Sequence, residues 1–249
     1  MFSPPAPPEG AGKGPGAQVD DPSRAAGTAG PRRECGPGTD RGPGWHRFHR
    51  RKSEVHRRYP RVWSIPLLRK RNHLLEGLLR PGARVLDFGA GDRGWEKKVR
   101  TAAEGVEYRS LDQDPHTPQD YRTLDEVRGP FDLILMIEVI EHLGFEDALS
   151  LLPKLREFLA PGGRLLLTTP NTAHPTQYWQ DPTHRTAWAY DFLGAVLLEL
   201  GYQDLRCFRL LNVKLPACLA ARALGSVFHR WAGIDYARTI ALSAARGNP

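Results

Sequence analysis

From residue 84 onward, segments typical of β-strands alternate with segments typical of α-helices. The strand-like segments are ARVLDF, VEYRSLD, FDLILMI, GRLLLTTP, DLRCFRLL and RTIALSAAR. Between them, GWEKKVRTAA, FEDALSLLPKLREFLA and AYDFLGAVLLEL have the apolar spacing of helices. This alternation predicts an α/β fold, in which a mostly parallel sheet is covered on both faces by helices.

Composition divides the 249 residues into three parts. Residues 1–44 contain ten Gly, nine Pro, five basic and five acidic residues, and we predict that they form a disordered leader. A GC-rich upstream sequence would give the same composition, so Met1 need not be the physiological start. Residues 45–71 contain ten basic residues and one Glu, whereas residues 72–249 have a net charge of −2. We therefore expect a basic aromatic arm followed by one near-neutral domain.

The arm WHRFHRRKSEVHRRYPRVWSIPLLRKR interleaves aromatic residues with arginines. Such a pattern favours contact with an anionic partner, but it also fits a solvated segment whose last part packs on the domain. In the second interpretation, Trp63, Leu67 and Leu68 are the packing residues. The apolar spacing over residues 66–79 predicts an amphipathic helix that ends at Arg80-Pro81-Gly82.

The stretch RVLDFGAGDRG, residues 84–94, places a glycine-rich turn directly after a strand. Gly89, Gly91 and Gly94 match the dinucleotide fingerprint G-x-G-x-x-G, which holds a pyrophosphate. Asp87 and Asp92 would repel a pyrophosphate and favour a ligand with a cationic end. Asp112 lies 21 residues after Gly91, where an acid can accept hydrogen bonds from a ribose. A ribose, a cationic tail and the lack of a phosphate describe S-adenosylmethionine, although an NAD site stays open.

At these residues the chain resembles the class I S-adenosylmethionine-dependent methyltransferases. VLDFGAG, Asp112, FDLILMIEVIEHL and LAPGGRLLLTTPN carry the resemblance, which covers roughly residues 70–247. It implies a doubly wound, mostly parallel seven-stranded sheet of Rossmann-like type and S-adenosylmethionine as cofactor. By position it implies that the methionine end meets Asp87, Gly89 and Gly91, the ribose meets Asp112, and the adenine region meets Gln113, Asp120, Met136 and Ile137.

Two further segments offer groups that could deprotonate an acceptor. EVIEHL presents Glu138, Glu141 and His142, and the loop TPNTAHPTQYWQDPTHRTAW presents His174, Asp181 and His184. We predict that His184 is the general base and that Asp181 orients it, with His142 as the competing base. E-x-x-E-H with a later histidine also resembles small-RNA 2′-O-methyltransferases and ubiquinone-pathway O-methyltransferases. That resemblance implies Mg²⁺ held by Glu138, Glu141, His142 and His184, so the metal requirement stays open.

We favour O-methylation of a saccharide or another small polar acceptor, because loops similar to YWQDPTHR resemble those of bacterial glycan methyltransferases. The alternatives are a metal-dependent RNA 2′-O-methyltransferase and a non-catalytic cofactor-binding regulatory module. The charge of −2 over residues 72–249 disfavours a nucleic acid partner. Cys35, Cys207 and Cys218 lack pairing or metal spacing, and no apolar run approaches the roughly 18–20 residues of a membrane span. We therefore expect a cytoplasmic protein.

Overall fold

The structure is a computed structural model that describes residues 45–211 and 230–247. The predicted leader, Cys35 and Cys218 lie outside the described residues. Seven strands form the sheet in the described part: β1 (Leu67–Leu68), β2 (Arg84–Phe88), β3 (Glu107–Leu111), β4 (Phe131–Ile137), β5 (Leu159–Pro170), β6 (Tyr202–Leu210) and β7 (Thr239–Arg246). The longer helices are α1 (Trp45–Arg58), α2 (Glu96–Ala102), α3 (Phe145–Phe158) and α4 (Tyr190–Glu199).

The strands follow the order β1-β6-β7-β5-β4-β2-β3. β7 is antiparallel to both of its neighbours, β5 and β6, and the other neighbouring pairs are parallel. The chain first runs from β2 outward to β3 and then returns to β4 on the other side of β2. This reversal opens a crevice at the carboxyl ends of β2 and β4, where ligands bind in sheets of this type.

Two apolar clusters cover the two faces of the sheet. Alternate residues of β4 enter different clusters: Ile134 and Met136 join one, whereas Leu133 and Leu135 join the other. Side chains of α1, α3 and α4 complete the first cluster, and α2 with residues 74–75 completes the second. The predicted doubly wound α/β architecture is therefore confirmed. Among the described residues, no helix is both long enough and apolar enough to cross a membrane.

The predicted amphipathic helix over residues 66–79 is wrong. Leu67 and Leu68 form the edge strand β1, parallel to Arg209 and Leu210 of β6, and only Arg71–Leu74 forms a short 3₁₀ helix. The backbone N–H of Leu211 donates to the carbonyl of Leu68 at 3.0 Å. Ladder hydrogen bonds to the open edge of β6 thus override the local helical pattern, a common outcome of tertiary context.

Within the basic segment, residues 45–58 form α1, which lies against α4. Phe48 is 3% exposed, and its ring centroid lies 5.7 Å from that of Phe192. On the same interface, Lys52 and His56 contact the carboxylate of Asp191 at 3.1 and 2.7 Å. The first half of the basic segment therefore packs on the sheet domain through both apolar and charged contacts.

Candidate active site

The carboxyl end of β2 presents a buried carboxylate to the crevice. Asp87 is 1% exposed, and the Tyr108 hydroxyl donates to its Oδ2 atom at 2.5 Å. Burial raises the pKa of Asp87 to about 6, although the hydrogen bond from Tyr108 and the charge of Arg93 oppose this shift. A cationic ligand group near Asp87 would favour its ionised form.

The glycine turn after β2 lies against the ends of two neighbouring strands. The backbone N–H of Gly89 donates to the carbonyl of Leu111 at the end of β3. A Cβ atom on Gly89 would lie 2.4 Å from Cγ2 of Val139, which follows β4. Gly91 has φ +51°, and a Cβ atom there would meet no heavy atom within 4 Å. The turn is therefore closed toward β4 at Gly89 and open at Gly91, where a ligand can approach the backbone.

Asp112, the predicted ribose acid, is held directly beside this turn. Its Oδ2 atom accepts the N–H of Gly91 at 2.8 Å, and its Oδ1 atom accepts the N–H of Asp114 at 2.9 Å. A carboxylate has about four lone-pair positions, so two remain for ribose hydroxyls. Gln113 follows as an exposed residue on the same loop. The structure thus brings Asp87, Gly91 and Asp112 to one end of the sheet.

Two other residues implied for the cofactor have contacts within the protein. Asp120 accepts the N–H and the hydroxyl of Ser110, each at 2.9 Å, and contacts Arg93 at 3.5 Å. Its carboxylate therefore secures the loop after β3. Met136 is fully buried inside the first apolar cluster, so it does not line an open surface.

The segment after β4 carries the predicted carboxylates. Glu138 has φ +54°, a left-handed conformation that is uncommon for a side chain other than glycine and is frequent at functional sites. Its Oε1 atom accepts a hydrogen bond from the Thr168 hydroxyl at 2.7 Å. Burial raises the pKa of Glu138, while Thr168, Arg71 and the two histidines at positions 142 and 184 oppose the shift.

Glu141 is fully buried, and neither of its carboxylate oxygens has a well-formed hydrogen-bond partner among the described residues. Burial and the nearby Glu138 raise the pKa of Glu141 to about 8, and a contribution from the Thr169 hydroxyl is too small to reverse this. A buried carboxylate without partners is expensive to maintain. It therefore points to a proton, a cation or a ligand donor that completes its environment.

The acceptor loop, which we define as residues 171–188, is fastened to this segment. The N–H groups of Arg185 and Thr186 donate to the backbone carbonyl of Glu141 at 2.8 and 3.1 Å. The Trp188 indole donates to the carbonyl of Ile140 at 3.1 Å. His174 helps to shape the loop, because its Nδ1 atom accepts backbone N–H groups of Thr176 and Gln177. The loop after β5 is thus held over the segment after β4.

His142 and His184 meet at this junction, with ring centroids 4.9 Å apart. Nδ1 of His184 lies 2.7 Å from the carbonyl of Tyr178, which can only accept, so this nitrogen is the donor. The Thr183 hydroxyl donates to Asp181 at 2.6 Å and lies 3.0 Å from Nδ1 of His142, whose N–H it can accept. A neutral imidazole that carries its proton on Nδ1 has a free lone pair on Nε2. Nε2 of each neutral histidine can therefore accept a proton or bind a metal ion.

Glu141, His142 and His184 each offer one atom within 4.8 Å of the others, which is a suitable arrangement for a metal ion. The Nδ1 atom of His184 is fixed by the Tyr178 carbonyl, and that of His142 by the Thr183 hydroxyl, which also bonds to Asp181. Such contacts are usual for histidine ligands of metals. Asp181 Oδ2 lies 4.0 Å from Nε2 of His184, which is too long for a hydrogen bond. Asp181 is therefore coupled to His142 through Thr183 more directly than to His184.

Sequence reasoning missed several side chains that shape this region. Tyr108 contacts Asp87, and Gln119 donates from Nε2 to the carbonyl of Gly91 at 2.8 Å. Thr168 and Thr183 fix Glu138 and His142. The strand VEYRSLD contains Tyr108, but no motif in the sequence marks it as part of the site.

Comparison with known proteins gives a direct family assignment. A methyltransferase domain model matches residues 55–206, which is more than half of the chain. A ubiquinone biosynthesis O-methyltransferase of Caulobacter sp. (strain K31) is 34% identical over 76 residues, which span 30% of this chain and 29% of that protein. A second such protein, from Caulobacter vibrioides, is 36% identical over the same share of each chain. The matched segment is therefore less than a third of the length of these relatives.

Solved structures with the same fold have low sequence identity. A S-adenosylmethionine-dependent methyltransferase from Archaeoglobus fulgidus aligns with TM-score 0.52 and 16% identity over 80% of this chain and 94% of its own. A chain from the Haloferax volcanii complex that contains the Trm112 methyltransferase activator aligns with TM-score 0.53 and 15% identity. That alignment covers 82% of this chain and 97% of the other. At such low sequence identities, the similarity to these structures shows a shared fold alone.

Proposed function

Because the chain belongs to the class I S-adenosylmethionine-dependent methyltransferases, we propose that it transfers the methyl group of S-adenosylmethionine to an oxygen of a small polar acceptor such as a saccharide. Asp87 would hold the cationic methionine end of the cofactor and Asp112 would accept hydrogen bonds from its ribose hydroxyls. The open space at Gly91 and the position of Asp112, bonded to the N–H of Gly91, support this orientation. Gln113 borders the adenine.

The observation that carries the choice of an oxygen acceptor is the cluster of Glu141, His142 and His184 beside the glycine turn. Methyl transfer from a sulfonium is a displacement in which the protein mainly orients the acceptor. A hydroxyl acceptor must also lose its proton, which requires a base or a metal ion near the reacting oxygen. Val139 lies against Gly89 and stands between Glu138 and Glu141 in the sequence, which supports a position of the cluster close to the glycine turn. The partial match to ubiquinone biosynthesis O-methyltransferases also supports an oxygen acceptor.

In this proposal Glu141, His142 and His184 would hold a divalent cation. Glu138, the fourth ligand that the resemblance implies, lies outside this group of three and bonds to the Thr168 hydroxyl. The residues fit such an ion because both oxygens of Glu141 lack a well-formed partner in the described part and both Nε2 atoms keep a lone pair. When bound, the cation would lower the pKa of an acceptor hydroxyl. Two imidazoles with one carboxylate suit a transition metal such as Mn²⁺ at least as well as the Mg²⁺ that the family resemblance implies.

The competing mechanism uses the same residues without a metal. Here Nε2 of His184 accepts the proton, and the Tyr178 carbonyl keeps Nδ1 protonated so that Nε2 faces the acceptor. Histidine is suited to this role because its ordinary pKa lies near neutrality. Asp181 contributes through Thr183 and His142 to the geometry of the pair.

Methyl-labelled cofactor incubated with the purified full chain and fractionated extracts tests the reaction. We expect label to enter a fraction of small polar molecules. Transfer to RNA oligonucleotides instead would favour the RNA 2′-O-methyltransferase alternative, for which the cluster of Glu141, His142 and His184 is the supporting observation. If cofactor binds but no fraction gains label, a regulatory cofactor-binding module is the better description.

The two mechanisms separate by chelation and by direct metal binding. If the cation is required, a chelator abolishes turnover, added Mn²⁺ restores it, and Glu141→Gln weakens Mn²⁺ binding measured by calorimetry. If His184 is the base, chelation has no effect, and His184→Ala lowers turnover by roughly 10²–10⁴-fold at unchanged cofactor affinity. His49→Ala, an exposed histidine on α1, is the matched control. Normal turnover in His184→Ala together with resistance to chelation would exclude both mechanisms.

A further inference from the structure

An exposed surface at the carboxyl edge of the sheet is not used by the proposed reaction. We call it the basic edge and define it by five cations and two tryptophans: Arg69, Lys70, Arg71, Arg230, Arg238, Trp179 and Trp231. Arg71 is half-buried, and the other six residues are exposed.

The topology brings these residues to one end of the molecule. β1 is parallel to β6 and ends at Leu68, so Arg69–Arg71 emerge at the carboxyl edge. β7 is antiparallel to its neighbours and begins there, which places Arg238 at the same edge. The N–H of Asp235 donates to the carbonyl of Ala173 at 2.8 Å, so the segment containing Arg230 and Trp231 lies against the start of the acceptor loop.

Within the part of the chain that the structure describes, none of the five cations of the basic edge makes an ion pair within 4.0 Å, although the charge of Arg71 acts on Glu138. At the opposite edge, Arg80, Arg84 and Arg164 pair with Asp132, Glu107 and Asp204 at 2.7, 3.1 and 2.8 Å. Ion pairs therefore neutralise the three arginines of the opposite edge, whereas the cations of the basic edge make no such pairs.

Trp179 and Trp231 are the large apolar side chains that remain strongly exposed among the described residues, at 80% and 83%. Trp179 belongs to the acceptor loop, and Trp231 lies next to Arg230, whose guanidinium lies 5.6 Å from the ring centroid of Trp63. Tryptophan is enriched at membrane–water interfaces, since its ring is apolar and its N–H can still bond to headgroups. Lysine and arginine beside such rings attract anionic lipids.

We propose that the basic edge docks on an anionic phospholipid surface, with both tryptophans in the headgroup layer and the five cations above the lipid phosphates. This orientation turns the acceptor loop and the cluster of Glu141, His142 and His184 toward the membrane. Acceptors that reside at the bilayer surface would then reach the site without crossing bulk water. A polynucleotide would meet the same five cations, so an RNA oligonucleotide serves as the competing occupant in the test.

Co-sedimentation of the full chain with vesicles tests the proposal without an acceptor, so its result is independent of methyl transfer. We expect binding to phosphatidylcholine vesicles that contain phosphatidylglycerol, little binding to phosphatidylcholine alone, and a loss of binding as salt rises. Arg69→Gln/Lys70→Gln/Arg238→Gln should lower the partition coefficient roughly 100-fold at low salt. Trp231→Ala should lower it even when all charges are kept.

The control with equal charge loss is Lys97→Gln/Arg128→Gln/Lys154→Gln, three exposed cations away from the basic edge. It should retain most vesicle binding, and cofactor affinity in every variant verifies folding. The proposal would be overturned if the two triple variants lost vesicle binding equally, or if binding did not depend on the phosphatidylglycerol content of the vesicles. Tighter binding to an RNA oligonucleotide than to the anionic vesicles would assign the basic edge to nucleic acid instead.

Discussion

Asp112 connects the glycine turn to the predicted ribose position, so its removal should weaken the cofactor complex more than it weakens the fold. Asp112→Ala removes a charged acceptor of ribose hydroxyls and frees the N–H of Gly91, which it accepts at 2.8 Å. We expect S-adenosylmethionine to bind about 1–3 kcal/mol more weakly. Isothermal titration calorimetry measures the loss, and Asp114→Ala, an exposed carboxylate two residues away, is the control. Unchanged affinity in Asp112→Ala would remove this residue from the site.

Asp87 gives the cofactor site a predictable pH dependence. Its pKa is raised to about 6 because it is buried, so the free protein keeps Asp87 protonated below that pH. A cationic ligand end needs the ionised form, and affinity should therefore fall as the pH decreases through about 6, by up to roughly tenfold per unit. Calorimetric titrations across this range should show the fall in the native protein and a flat profile in Asp87→Asn.

The same shift has the opposite consequence for the stability of the cofactor-free protein. Because the folded pKa lies above the ordinary value of 3.8, the contribution of Asp87 to the free energy of unfolding is fully present below about pH 4. It is lost as the pH rises through about 6. Relative to the native protein, Asp87→Asn should therefore gain stability between these limits in denaturant titrations. A gap between the two proteins that does not change with pH would contradict the raised pKa.

At the scale of elements, α1 is bound to the domain mainly by its apolar face. Phe48→Ala removes a side chain that is 3% exposed and packs on Phe192, so we expect a loss of about 3–5 kcal/mol in the free energy of unfolding. Urea denaturation measures it. His49→Ala, at the exposed neighbouring position, should change stability by less than about 0.5 kcal/mol. Comparable effects in the two variants would mean that α1 does not contribute its buried face to the core.

The elements that the sequence predicted correctly are those whose signal is local. FDLILMI forms β4 because a strand buried on both faces is apolar throughout, and FEDALSLLPKLREF forms α3 because one face alone is buried. Residues 66–79 gave a helical pattern but form β1 and a short 3₁₀ helix, because the open edge of β6 supplies hydrogen bonds that no local pattern reveals. Pairing with a strand some 140 residues away is outside what periodicity can predict.

The residues of the candidate site also fall into those that local motifs predict and those that depend on contacts between distant parts of the chain. Asp87, the glycine turn and Asp112 follow from motifs whose spacing fixes their place at strand ends. The contact of Tyr108 with Asp87 depends on the register of β3 against β2, in which Tyr108 lies opposite Val85, two residues from Asp87 on the same face. The meeting of His142 with His184 depends on how the acceptor loop folds back, which required the structure.

At the scale of the whole molecule, charge and apolar content are divided unevenly along the chain. Residues 1–44 hold equal numbers of acidic and basic residues and nineteen Gly or Pro, so their removal should take away no core. Residues 45–58, in contrast, contain the buried Phe48 and Val55 and the partners of Asp191 on α4. Two truncations therefore test whether residues 1–44 are dispensable and whether residues 45–58 are needed for the fold.

Deletion of residues 1–44 should leave the Tm within about 2 °C and the cofactor affinity unchanged. Deletion of residues 1–58 also removes two buried side chains, at about 1.5–3 kcal/mol each. At about 2–4 °C per kcal/mol, this loss of roughly 3–6 kcal/mol should lower the Tm by about 6–24 °C. Differential scanning calorimetry with and without S-adenosylmethionine makes both comparisons in one series. A fall of several degrees in the shorter deletion would show that residues 1–44 contribute to the folded domain, because that deletion leaves every residue of α1 in place.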